Sequence, residues 1–128
     1  MRSLFLSLLL SAVFVLPAGA AVDTSKLQLP GDITLEQART VVEGALEFAK
    51  KQGVPMNITV VDAGGNLKAF CRMDGAFLGS IDISQKKAVT ARRFNMSSAE
   101  LGALAQPGKE LFGIEATNGG LAIFGGGE

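Results

Sequence analysis

The sequence predicts a single α+β domain in which helices flank a central antiparallel sheet. Three observations carry this. Thr34–Gly53 has helical periodicity with a stop or start signal at each end, Asn57–Arg72 alternates about a glycine-rich turn, and a second helical stretch and a short apolar run follow. The order helix, hairpin, helix, strand suits helices packed on one antiparallel sheet.

Ahead of these elements the chain reads Met1-Arg2, is apolar from Leu4 to Leu16, and continues Pro17-Ala18-Gly19-Ala20. A short basic start, an apolar run and an A-x-A ending predict a signal peptide over residues 1–20, cleaved before Ala21. The run falls short of the ~20 residues that a membrane span needs. Export to the periplasm or the outside of a bacterium is the expected localisation, with no membrane partner after cleavage. Residues 21–32 are mostly polar and contain Pro30-Gly31, so they read as a tether. Residues 33–128 form the domain.

Within the domain, Thr34 is the expected N-cap of the first helix, with Gln37 completing a capping box. Leu35, Ala38, Val42, Ala45 and Ala49 share one stripe, and Lys50, Lys51 and Gly53 mark the end. Strands are expected at Asn57–Val61 and Leu67–Arg72, joined over Asp62–Asn66, where Gly64-Gly65-Asn66 supply positive φ angles. No G-x-G-x-x-G or G-K-[ST] pattern accompanies the Gly-Gly pair, so a hairpin turn is favoured over a phosphate loop. The second helix runs from Ser80 or Asp82 to Phe94, and Ser97 with Glu100 caps a third reaching about Ala105. Lys109–Gly120 is expected to be irregular or a single turn, and Leu121–Phe124 a last strand.

Composition removes several function classes. Basic and acidic residues number 12 each, and Arg2 is lost with the leader, so the domain is nearly neutral. Non-specific nucleic-acid binding, which needs many cations, is not expected. Cys71 is the single cysteine, so no internal disulfide forms, and the chain has no histidine. This excludes a Ser-His-Asp triad, a histidine-activated cysteine and any imidazole metal ligand. Cys71 reads as a buried small hydrophobe, Met73 and Met96 as core filler, and Asp62 and Asp74 as turn residues.

The second helix contains Ser-Gln-Lys-Lys-Ala-Val-Thr-Ala-Arg-Arg-Phe over residues 84–94. At about 100° per residue, Ile81, Ser84, Ala88 and Ala91 share a sector suited to close approach to a sheet. The opposite sector gathers Lys86, Lys87, Thr90, Arg93, Ile83 and Phe94. That mixed surface is either a solvated face, a subunit contact, or a site for a flat, apolar, anionic ligand whose carboxylates meet the cations.

Three stretches in order, "VVDAGGNLKAFCRMDGA", "SQKKAVTARRF" and "NGGLAIFGGGE", resemble the GlcG/HbpS-like family of haem-binding and haem-degrading proteins. That family is related to the C-terminal domain of PduO-type cobalamin adenosyltransferases. The resemblance spans Ile33–Glu128 and implies haem or a related tetrapyrrole as cofactor, and a homo-oligomer, commonly an octamer. Carried over residue by residue, it makes Thr90 the leading haem contact and a weak oxygen ligand toward iron, with Lys87 and Arg72 placed for propionate or structural pairing. With Lys86, Arg93 and Phe94 from the helix face, these are the candidate site residues. The family pattern continues beyond Gly125-Gly126-Gly127 into a further strand and helix, so the chain is expected to be C-terminally incomplete. No catalytic residue is assigned, because no nucleophile–base pair is visible. The expected function is haem binding or buffering, with a link to sensing. Slow oxidative haem degradation, or small-organic-acid binding beside a catabolic pathway, are the alternatives.

Overall fold

In a computed structural model describing residues 31–128, the element order is α1 (Leu35–Gln52), β1 (Asn57–Val61), β2 (Leu67–Arg72), α2 (Ser80–Phe94) and α3 (Ser98–Leu104), then a single 3-10 turn at Ile114–Ala116. The expected signal peptide and nearly all of the tether lie outside the described residues. No helix among the described residues is long and apolar enough to cross a membrane.

Local signals decide the first half. The Thr34 hydroxyl accepts from the Gln37 N–H, the Gln37 side chain returns to the Thr34 N–H, and Gly53 closes α1 in the left-handed region at φ 68°. Ala38 and Ala49 of the α1 stripe are buried, while Leu35, at its N-terminus, stays largely exposed. β1 and β2 pair antiparallel, with Ile58 opposite Cys71 and an irregularity at Val60/Val61 where the turn begins. Asp62 builds that turn. One carboxylate oxygen accepts from the backbone N–H groups of Gly64 and Asn66, both at 2.8 Å, and the Asn66 N–H bond foremost holds the Asp62 pKa below the ordinary carboxylate range. Asp32, read as the end of the tether, fastens to the same turn. It accepts from the Ala63 N–H at 2.8 Å and pairs with Lys68 at 3.7 Å.

The sheet has two strands among the described residues, with order β1-β2, and α1 and α2 both pack against it. Leu121–Phe124 is not a third strand. Its N–H groups find other partners: Leu121 donates to the Glu115 carbonyl at 3.0 Å and Ala122 to the Thr90 hydroxyl at 3.3 Å. Leu121 and Ala122 are instead core residues, together with Leu101 of α3, Ala105 just after it, and Ala91 of α2. Ser98 locks the segment. Its buried hydroxyl donates to the Phe124 carbonyl at 2.7 Å and accepts from the Gly127 N–H at 2.9 Å. The Ser97–Glu100 capping box forms as expected and places Ser98 at the start of α3. Its two Ser97 hydrogen bonds to the carboxylate, the backbone one foremost, lower the Glu100 pKa.

Candidate functional site

The two sectors of α2 are both covered, by different parts of the chain. Ser84 faces β1, where its hydroxyl lies 2.9 Å from that of Thr59, and Ala91 is buried nearby. The opposite sector, expected to be solvated or to meet a ligand, is crossed by residues 118–127. Arg93 donates to the Asn118 carbonyl at 3.3 Å, and Lys87 donates to the Gly125 carbonyl at 2.6 Å. Thr90 sits between them at 0% exposure with its hydroxyl taken by Ala122. The surface position inferred for Thr90 is therefore corrected: the hydroxyl holds the chain's own backbone, because a buried N–H needs a partner.

The remaining candidates separate. Lys86 pairs with Asp82 one turn earlier at 2.9 Å, an exposed contact of the kind that stabilises little. Phe94 is half-buried. Arg72 is exposed at the end of β2, opposite Asn57, and makes no ion pair among the described residues. Only Lys87 borders a cleft as well as the C-terminal segment.

That cleft has a volume of about 370 Å³ and is walled by Met56, Phe77, Ile83, Lys87 and Phe124. A second cleft, of about 610 Å³, runs along β1 between α1 and α2 and shares Val54, Met56, Asn57 and Ser84 with the first. Volumes of this size suit a small-molecule ligand, and the walls are mainly apolar with few polar groups, as such sites are. The Lys87 ammonium lies 4.0 Å from the centre of the Phe124 ring. Partial burial lowers its pKa from the ordinary lysine value of 10.5. An ammonium has three donors and Gly125 takes one, so two remain for an anion. Phe77 is 83% exposed on the loop before α2, and the Asn57 side-chain amide holds that loop by donating to the Phe77 carbonyl at 3.0 Å. The other Asn57 side-chain atom, Oδ1, is buried without a hydrogen-bond partner, an acceptor left open beside both clefts.

Met56, Phe77 and Phe124 were not legible as site residues. Phe77 lies in a loop with no periodicity, and Phe124 lay in an expected strand. The one available signal was the glycine run after Phe124, which permits close backbone approach. A Cβ at Gly127 would stand 2.5 Å from the Lys87 carbonyl oxygen.

The profile of the haem-degrading protein HbpS-like family matches residues 33–128. The chain belongs to this family. Among similar proteins, a 15.0 kDa Citrobacter freundii protein encoded between dhaT and dhaS is 39% identical over 104 residues, covering 80% of this chain and 73% of that one. The corrinoid adenosyltransferase PduO of the same organism is 34% identical over 110 residues, covering 84% of this chain but 33% of the relative. A solved complex of PduOC with haem superposes with a TM-score of 0.70 at 33% identity, over 73% of this chain and 69% of that chain.

Among the described residues no three or more His, Cys, Asp or Glu side chains gather, and the smaller cleft sets aromatic and thioether walls beside a lysine, a lining chemically compatible with an apolar ring carrying carboxylates.

Proposed function

We propose that this HbpS-like protein is exported and binds haem in the paired clefts beside α2. The porphyrin ring lies against Phe77, Phe124, Ile83 and Met56, and Lys87 receives a propionate. The observation that carries the reading is the placement of Lys87, a partly desolvated ammonium with free donors at the edge of a mainly apolar cleft. The haem complex of PduOC supports it. The exposure of Phe48, Phe77, Leu78 and Phe112 supports a homo-oligomer, since apolar patches on soluble proteins mark contact surfaces. Binding is favoured over turnover because Ser84 and Thr59, which line the larger cleft, hydrogen-bond to each other rather than to a base. The family's haem-degrading description supports slow iron-dependent breakdown as the second reading.

One preparation tests all of this. Protein recovered from the periplasm or medium should have a mass beginning at Ala21, scatter light as an oligomer, and develop haem absorbance on titration. Absorbance that persists under added peroxide means a binding protein, and steady bleaching means the degrading alternative. No haem absorbance at any ratio overturns both readings in favour of a small-organic-acid ligand.

A further inference from the structure

The structure assigns Met56 as the side chain that reaches haem iron. This rests on the haem reading above and deepens it by naming the ligand atom, the thioether Sδ. Thr90, the candidate oxygen ligand, has its hydroxyl buried and taken by the Ala122 N–H. Histidine is absent from the chain. The soft donors among the described residues are Cys71, Met56, Met73 and Met96, and they differ sharply in placement. Cys71 is half-buried within β2 and borders neither cleft. Met73 is half-buried, and its sulfur accepts the Met56 N–H at 3.4 Å. Met96 is half-buried at the far end of α2, among Val61, Arg92 and Asn95 and away from Lys87 and the phenylalanines.

Met56 alone of these lies in both clefts, and it is 47% exposed. Its backbone is fixed just ahead of β1: its carbonyl accepts from the Met73 N–H at 3.0 Å, and its own N–H is held by the Met73 sulfur. The side chain thus springs from a rigid point, while its three rotatable bonds let the sulfur adapt to a planar ligand. Thioether is a ligand type that haem iron accepts, and it raises the reduction potential of the bound haem. Phe77 and Phe124 line the same cleft as Met56, so the thioether shares a cavity with the aromatic side chains proposed to hold the ring.

The test compares the parent protein with Met56→Leu, Met73→Leu and Met96→Leu, each titrated with ferric and then ferrous haem. The readouts are the near-infrared charge-transfer band of thioether-ligated ferric haem and the reduction potential of the bound haem. Met56→Leu keeps volume at a half-exposed position, and an unchanged thermal melt confirms that it folds. The band should be present in the parent, vanish in Met56→Leu together with a fall in potential, and persist in Met73→Leu and Met96→Leu. Haem binding without the band in the parent, or a band that survives Met56→Leu, overturns the assignment while leaving the haem reading standing. A parent that binds no haem overturns both.

Discussion

Gly102→Ala is expected to be the most damaging single substitution in the domain, costing about 3 kcal/mol or more of stability. Gly102 is buried in α3, where the segment around Ile123 crosses it. A Cβ built there overlaps the Ile123 carbonyl oxygen and stands 2.9 Å from the carbonyl carbon, nearer than real Cβ atoms come. The obstacle is backbone, so no rotamer change relieves it. Residues 121–124 would have to lift from α3, loosening the Ser98–Phe124 and Thr90–Ala122 hydrogen bonds. Overpacking in cores costs ~1–3 kcal/mol and occasionally more, and a clash with main chain belongs at the upper end. For a domain of this size each kcal/mol lowers Tm by roughly 4–8 °C, so a drop of more than about 12 °C is the expected result of a thermal melt. Gly44→Ala is the control. Gly44 lies inside α1 with nothing within 4 Å of the added methyl, and the change should raise stability by about 0.5–1 kcal/mol. A Gly102→Ala variant melting with the parent would show that α3 and the C-terminal segment do not pack as described.

Thr90→Val should rank next, and it should act on folding rather than on ligand. Valine matches threonine in shape, so no cavity opens, but the Ala122 N–H loses its acceptor in a fully buried place. An unpaired buried donor costs about 1–3 kcal/mol. The 3.3 Å separation of the existing bond puts the expectation toward the lower part of that range. Thr90→Ser keeps the oxygen and should retain most of the lost stability. Thermal melts, with hydrogen exchange at the Ala122 amide, decide between the two. If Thr90→Val melts like the parent but changes the spectrum of bound haem, then Thr90 meets the ligand after all.

These two sites mark where reading the sequence stops. α1, the hairpin and the start of α3 were legible because their determinants are local: Thr34 with Gln37, Asp62 with the turn N–H groups, Ser97 with Glu100. The periodicity of α2 correctly separated a small-residue sector from a cationic one. It could not say what covers the second, because the carbonyls that meet Lys87 and Arg93 come from residues 38 and 25 positions away. The Leu-Ala-Ile-Phe run failed for a related reason. Four apolar residues look alike as a strand or as a buried irregular segment, and here the N–H groups of Leu121 and Ala122 go to a carbonyl and a hydroxyl of other elements. Of the candidate site, Lys87 was legible from the cationic face. Met56, Phe77 and Phe124 come together only through the tertiary fold.

One lysine among three neighbouring cations carries the proposed haem site. Lys86 pairs with Asp82 and Arg93 with the Asn118 carbonyl, and neither lines either cleft, whereas Lys87 lines the smaller one and keeps donors there. The most direct measurement is a haem titration of the parent, of Lys87→Gln and of a Lys86→Gln/Arg93→Gln double variant, repeated from neutral to alkaline pH. Glutamine at position 87 keeps a donor for the Gly125 carbonyl while removing the charge. Hydrogen bonds to charged groups are worth ~1.5–3 kcal/mol, so Lys87→Gln should weaken binding by about ten- to a hundred-fold, and the double variant should stay within about twofold of the parent. Burial lowers the Lys87 pKa below the ordinary lysine value of 10.5, so the ammonium is lost at a lower pH than that of an exposed lysine. Parent affinity should therefore fall as pH rises through that lowered pKa, and Lys87→Gln should not show the fall. Equal binding by Lys87→Gln and the parent at neutral pH, or an equal loss in the double variant, would contradict the account.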